Sequence, residues 1–473
     1  MKVTRTIRLA PQVLSGVLAL SAPVQAGDPS QLPNMLPFPN PTGFAATYSI
    51  TGSIDLTNPF FRSLGTNGRA CVSCHQPSDG WTVTPQHIRA RFDATGGTDP
   101  IFRTNDGSNS PDADVSTVEA RRAAYSMLLN KGLIRVGIGI SANAEFELVA
   151  VDDPYGYASA KELSLFRRPL PSTNLKFLST VMWDGRETFP DPLSKDCILG
   201  STKCFAPLRF DLDDQSNAAT LGHAQAAQAL TNAQRDAIVA FESALFTTQV
   251  LDATAGELTA HGALGGPAYL SQQSAYFGIN DVVSGDYRTG ALFDSTVFRL
   301  YDAWDLPIPG GGVVEARLEV ARGQRLFNSK PIQIAGVKGL NDDLGIQILP
   351  GTCTTCHDAP NAANHSISAP LDIGLTDACR RTADLPLYTL RHTQAPFETV
   401  QTTDPGRALI TGKWKDIGKL KGPILRALAA RAPYFHNGSA GDLGAVVDFD
   451  DQRFGIGFTE EEKADLIAFL RTL

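Results

Sequence analysis

The chain has 473 residues, 41 Lys plus Arg against 49 Asp plus Glu, a formal net charge of -8 and 42% hydrophobic residues. An acidic balance argues against a nucleic-acid partner, whose footprint is a basic patch. It suits contact with a basic partner, and solubility alone would also explain it. Ordinary apolar content and this length point to a globular protein of roughly two to three domains.

The N-terminus reads as an export signal over residues 1–26. Lys2, Arg5 and Arg8 form a basic stretch, residues 13–20 are mostly apolar, and Val24-Gln25-Ala26 is a small-x-small cleavage site. The apolar run is too short for a bilayer span, and no later run reaches about 18 apolar residues. The expected product is an exported periplasmic protein without a membrane span; an uncleaved anchor is the competing reading. Residues 27 to about 50 are Pro-rich and read as an extended arm.

Next comes Cys71-Val-Ser-Cys74-His75, and a second copy follows at Cys353-Thr-Thr-Cys356-His357. C-x-x-C-H is the spacing of covalent c-type haem attachment. The two thiols add across the haem vinyl groups, and the adjacent His supplies the proximal nitrogen to iron. Two covalently bound haems are therefore expected, on Cys71, Cys74 and His75 and on Cys353, Cys356 and His357, with His75 and His357 as iron ligands. A zinc or thioredoxin-like reading of either C-x-x-C leaves the following His unexplained both times.

Residues 92–118 are rich in Gly, Asp, Asn and Ser and read as a long loop, a type of segment that often carries function. Residues 119–131 read as a helix and 136–151 as a hairpin. Cys197 and Cys204 lie close together in a loop-like stretch, and in an oxidising compartment they are expected to be disulfide-bonded. Cys379 has no evident partner and is expected to be a buried free thiol. Residues 230–245 and 458–473 repeat one another. Each opens with a capping box, Thr231 with Gln234 and Thr459 with Glu462, and each then places apolar residues on one helical face. A second echo, Val181-Met-Trp-Asp-Gly185 and Tyr434-Phe-His-Asn-Gly438, precedes those helices. Residues 317–327 read as the helix that opens a second unit, after a Pro- and Gly-rich break at 307–312. The expected organisation is a signal peptide at 1–26, an N-terminal haem domain at 27–250, an insertion at 251–312 and a C-terminal haem domain at 313–473. The expected fold is mainly α, two cytochrome-c-like haem domains with long loops and inter-domain insertions.

With these residues in place the chain resembles the bacterial di-haem cytochrome c peroxidase and MauG superfamily. The resemblance rests on Arg167-Arg168, Trp183-Asp184-Gly185-Arg186, Ala432-Pro433-Tyr434-Phe435-His436-Asn437-Gly438 and the closing helix at 459–473, together with both haem motifs in order. It implies a peroxide-reacting haem in the N-terminal domain, an electron-storing haem in the C-terminal one, and a tryptophan between them, which Trp183 matches. It also implies hydrogen peroxide as substrate and a cytochrome c or cupredoxin as electron donor; a homodimer stays open.

The departures are specific. The peroxidases carry a Met ligand on the C-terminal haem and MauG a Tyr; this chain has only Met1, Met35, Met127 and Met182, and Asp450 stands at the matching position. Asp450, a water, His365 or His392 are the remaining candidates for that site. On the N-terminal distal side, an insertion carrying Cys197 and Cys204 interrupts the family pattern. The pattern resumes at Leu212 and Gln215, with Ala219 in place of a Pro and His223 near the position of a catalytic Glu. His223 suits proton transfer near neutral pH, or it ligates the iron and closes the site. His87, twelve residues after His75, is a further distal candidate, with a surface or hydrogen-bonding role as the plainer reading. Pro169 and Arg431 replace the family's Asn and Thr at the inter-domain calcium position, which puts calcium in doubt. The expected catalytic set is therefore His223, Gln215 and Trp183. Two other functions compete with peroxide reduction: MauG-like oxidation of a protein or organic substrate, and non-enzymatic electron transfer with both irons six-coordinate.

Overall fold

The computed structural model describes residues 29–305 and 311–473. The expected signal at 1–26 and most of the expected break at 307–312 lie outside the described residues. Helix makes up 31% and strand 18%, so the fold is mixed α/β and the expectation of a mainly α protein is overturned. The strands come from segments whose pairing partners are far away in sequence. The Pro-rich arm is in fact strand: Pro37–Asn40 and Gly43–Ser49 join Leu245–Asp252 and Gly256–Glu257 in a four-stranded antiparallel sheet. Ala45, Ala46 and Thr47 are buried there against Thr247 and Thr248, small and β-branched residues that suit a sheet covered on both faces.

The hairpin expected at 136–151 does not form. Ile134–Ile138 pairs with Leu163–Arg167, and Phe146–Asp152 pairs with Leu387–His392 from the far end of the chain. The apolar side chains explain this choice. Phe146, Leu163, Leu165, Tyr388, Leu390 and Leu409 share one buried cluster, which a local hairpin would leave incomplete. The helix expected at 119–131 is present as two pieces, Val118–Ala124 and Ser126–Lys131, hinged at buried Tyr125.

Both closing helices form, Asn232–Ser243 and Glu460–Leu470, and both capping boxes are made. Helix Gly312–Ser329 crosses Glu460–Leu470 at close range. A Cβ on Gly323 would lie 2.0 Å from the Asp465 carbonyl oxygen, so only glycine allows the approach. Arg322 clamps the same crossing through two bonds to the Asp465 carboxylate, 2.8 and 2.9 Å. Residues 251–305 pack onto this pair: Leu258, Phe298, Tyr301 and Trp304 share a core with Val320, Phe327 and Phe469.

Cys197 and Cys204 form the expected disulfide, across the short ribbon Asp196–Cys197 and Cys204–Phe205. Cys379 departs from expectation. It is exposed, because the turn Ala378–Arg380 lies at the surface between Asp377 and Arg381. Buried Arg167 donates to Asp404 through Nε at 2.7 Å and Nη2 at 2.8 Å, and pairs with buried Asp184 as well. The early and late parts of the chain are thereby joined at one point.

Candidate active site

Each C-x-x-C-H motif folds as one tight turn. The backbone N–H groups of Cys74 and His75 both donate to the Cys71 carbonyl at 3.1 Å, and those of Cys356 and His357 to Cys353 at 3.3 and 3.2 Å. This geometry brings the two thiols and the imidazole of each motif into one neighbourhood. His75 Nδ1 donates to the Trp81 carbonyl at 3.0 Å, and His357 Nδ1 to the Ala363 carbonyl at 2.6 Å. A carbonyl only accepts, so Nδ1 carries the proton and Nε2 keeps its lone pair free for a metal. Burial pushes His75 down to about 4 and lowers His357 too, so both rings are neutral near pH 7.

The accepting residues share an unusual backbone. Trp81 and Ala363, each six positions after the motif His, both have a positive φ, 63° and 52°. A non-glycine residue in that region is strained, and strain of this kind is characteristic of functional sites. The second echo is repeated in the backbone as well: Met182 and Phe435 both have φ 65°, and Asn174 and Ala427, eight residues earlier in each copy, have φ 61° and 55°.

A large cavity opens beside the first motif. Cys71, Cys74 and His75 line it from one side, and Gln215, Ala219 and His223 from helix Leu208–Gly222 and its end. Trp183, Arg168 and Glu242 also border it. The structure therefore brings the expected residues His75, Gln215, His223 and Trp183 to one void. Trp183 donates from Nε1 to the Arg168 carbonyl at 2.8 Å, and its ring meets that of His436 edge-on at 6.2 Å. These two residues occupy matching places in the two copies of the echo. His436 itself is buried and pushed down to about 4 by burial.

The residues fit a haem on a further observation. Arg426 and Arg431 border the same cavity, and all three guanidinium nitrogens of Arg426 and Nε of Arg431 are buried without a hydrogen-bond partner. Burial pushes both guanidinia down to about 10. Buried cations left unpaired are costly, and the two carboxylates of a haem are the counter-charge such a pair would take. The redox-thiol alternative fits poorly. Burial raises all four motif thiols, with Cys353 and Cys356 at about 12, whereas reactive thiols sit where their pKa is depressed. Among the described residues no group of three or more His, Cys, Asp or Glu is arranged to hold a metal ion.

The second motif sits between two apolar clusters, with Cys353 and Cys356 against the cluster of Ile332, Ile334, Val337 and Leu340, Cys353 also against the core around Phe327, and His357 5.9 Å from the Phe327 ring. Asp450 is the carboxyl group that acts on both thiols, and burial pushes it up to about 7. His365 is buried 3.3 Å from Asp358, the residue after the motif. His392 is half-buried at the end of strand Leu387–His392, its ring against Trp414 at 5.3 Å. His87 sits on helix Pro85–Thr95, paired with buried Asp79, and does not border the first cavity. The Arg168 guanidinium donates to three carbonyls, those of Lys131, Val83 and Arg431, at 2.8, 2.7 and 3.0 Å.

Five site residues escaped the sequence reading, Arg426 among them. Glu242 borders the cavity from the closing helix, and burial pushes it up to about 7. Lys421 is buried there too, donates to the Thr180 carbonyl at 2.8 Å, and is pushed down to about 7 by burial. Asp106 and Arg69 stand behind His223: Asp106 pairs with both His223 Nδ1 and Arg69. Asp106 and Glu242 had a sequence signal, their places in the long polar loop at 92–118 and in the repeated helix at 230–245.

No family model matches the chain. The cytochrome-c peroxidase IdrP1 of Pseudomonas sp. (strain SCT) is 34% identical over 234 residues, 44% of this chain and 54% of that protein. The cytochrome-c peroxidase IdrP1 of Denitromonas iodatirespirans is 30% identical over 206 residues, 40% of this chain and 47% of that protein. The chain thus spans about half the length of the curated relatives it matches. A solved MauG-like protein associated with microbial copper homeostasis aligns over 88% of this chain and 86% of its own, at 16% identity and a TM-score of 0.35. The resemblance to di-haem cytochrome c peroxidases read from the motifs agrees with the names of these curated relatives.

Proposed function

We propose that the protein is a periplasmic di-haem oxidoreductase that reduces hydrogen peroxide to two waters, using two electrons from a small carrier protein and two protons. The observation that carries this reading is the single cavity bordered by Cys71, Cys74, His75, Gln215, His223 and Trp183. The relatives' names as cytochrome-c peroxidases support the substrate. A haem held by Cys71, Cys74 and His75 would supply the redox-active iron at which the peroxide bond is cleaved. His75 fixes the proximal side through its bond to Trp81. His223 takes the proton from one peroxide oxygen and returns it to the other, which leaves as water; Gln215 offers an amide donor to orient the substrate. Trp183 lies on the route toward a second haem on Cys353, Cys356 and His357.

The test is the intact exported protein. Its mass should exceed that of the processed polypeptide by two haems, and Cys71→Ala with Cys74→Ala should remove one. His223→Ala should keep both haems and slow peroxide cleavage by about 10²–10⁴-fold, the usual worth of general acid–base help. A low-spin first haem that turns high-spin in His223→Ala would instead make His223 an iron ligand and sink the catalytic assignment.

A second reading is favoured by one observation. The second motif is faced by Asp450, and the only Met residues of the chain are Met1, Met35, Met127 and Met182. A haem there without a Met ligand lacks a feature that raises potential, which suits oxidation of a protein or organic substrate in the MauG manner. Steady-state peroxide turnover with reduced cytochrome c separates the two: sustained turnover supports peroxide reduction, and its absence supports the second reading.

A further inference from the structure

We propose that Asp106 is the positioning residue of the first cavity: it holds the His223 ring as the Nδ1–H tautomer, with Nε2 bare for the substrate proton. The inference rests on the reading of His223 as the distal acid–base group. Three facts carry it. First, Asp106 is nearly enclosed, its side chain 8% exposed, and it makes two charge-assisted contacts, with His223 Nδ1 and with Arg69 Nη1. Secondly, its carboxyl is held in the ionised form: burial raises it, but the bonds and charges of His223 and Arg69 outweigh burial and bring it below the usual range. An ionised carboxylate only accepts, so the proton of the His223–Asp106 bond sits on Nδ1. Thirdly, the arrangement is locked from behind. Arg69, two residues before Cys71, also donates to the carbonyls of Pro100, Ile101 and His223 at 2.9, 2.6 and 3.2 Å. The Arg135 N–H holds the Asp106 carbonyl at 2.7 Å. Gly107 lets the loop close tightly, since a Cβ there would lie 2.6 Å from the Ile101 carbonyl oxygen.

The same clamp thus ties the haem motif, the loop at 92–118 and the end of helix Leu208–Gly222 together. Asn67 adds a bond from Nδ2 to the His223 carbonyl at 2.8 Å. The ring is fixed at its backbone and at Nδ1, while 38% of the side chain stays exposed. A His that had to find its own tautomer would spend part of its time with the proton on Nε2, unable to accept from peroxide. Asp106 and Arg69 pair at the ring, and the cavity that His223 lines is also bordered by the charged or titratable residues Arg62, Cys71, Cys74, His75, Arg167, Arg168, Arg186, Glu242, Lys421, Arg426 and Arg431.

The experiment uses the di-haem protein with matched haem content and three variants: His223→Ala, Asp106→Asn and Asp106→Glu. Two rates are followed against pH, peroxide cleavage and the association of hydrogen cyanide with the ferric first haem; both need a base to take a proton. Asp106→Asn should slow both by about 10–100-fold, the usual cost of losing a partner that orients a site residue. Asp106→Glu should recover most of both. In the wild type, the CO-bound ferrous form should show a strongly downfield, exchange-protected imidazole proton that is absent in His223→Ala. Wild-type rates in Asp106→Asn, or slower rates with no rescue by Glu, would overturn the positioning role. So would a missing downfield proton, whatever the variants do. Wild-type rates in His223→Ala would instead overturn the distal reading itself.

Discussion

At the scale of single residues, the site is defined by what burial does to charge. Arg426 borders the first cavity with every guanidinium nitrogen buried and unpaired. If haem carboxylates are its partners, Arg426→Met leaves a buried anion alone, and the haem-loaded protein should lose about 3–5 kcal/mol in denaturant unfolding, the usual cost of breaking a buried pair. Unchanged or increased stability would show that Arg426 has no haem partner. Glu242 gives a pH signature. Burial raises its carboxyl from 4.5 to about 7, so the folded state holds a proton there that the unfolded chain gives up. Its contribution to stability is present below about 4.5 and is lost as pH rises through about 7. Glu242→Gln should therefore remove a loss of roughly 3 kcal/mol between pH 5 and pH 8, read from urea midpoints at both values; parallel midpoints in the two proteins would place an ionised Glu242 in the folded state. Residues of this kind were hard to see in sequence. His75 and His357 announce themselves because attachment needs a contiguous motif. Asp106 meets His223 across 117 positions, and nothing local in either segment encodes that meeting.

At the scale of elements, what was legible is what is locally encoded. The two closing helices could be read because a capping box and an apolar face repeat within sixteen residues, and both boxes are made. The pairings Phe146–Asp152 with Leu387–His392, and Gly43–Ser49 with Leu245–Asp252, could not be read. Alternation of apolar residues identifies a strand but not its partner, and that is why a local hairpin and a mainly α fold were the wrong expectations. Gly323 is a second case. Inside a helix it lowers propensity, so its reason had to be tertiary: the Asp465 carbonyl oxygen of helix Glu460–Leu470 occupies the place of a Cβ. Gly323→Ala should push the two helices apart and cost about 1–3 kcal/mol, the range for overpacking. Phe327, four residues on, packs against His357, so the spectrum of a haem held on the second motif should shift while that of a haem on the first stays fixed. A stable variant with both spectra unchanged would show that the crossing has room to relax.

At the scale of the whole molecule, the two motifs are built as copies but not as separate pieces. Trp81 and Ala363, Met182 and Phe435, and Asn174 and Ala427 share their unusual backbone in matching positions, and Trp183 meets its counterpart His436 ring to ring. Around that meeting point the chain is interlocked. Arg167 is held by Asp184 on one side and Asp404 on the other, all three buried, and strand Phe146–Asp152 is an edge of a sheet completed by residues 387–402. Arg168 adds bonds to carbonyls from both regions, Val83 and Lys131 in one and Arg431 in the other. An interface of buried charge cannot open halfway, because each separated partner would be left uncompensated in a low-dielectric interior. The haem-loaded protein should therefore unfold in denaturant as one cooperative unit, with the far-ultraviolet signal and the absorbance of each haem changing at a common midpoint. Asp404→Asn weakens the clamp from the late side while Arg167 keeps Asp184. It should lower that shared midpoint by the equivalent of about 3–5 kcal/mol and keep the transition single. Two transitions in the wild type, one for each haem, would show that the halves fold independently and that the Arg167 clamp only docks them.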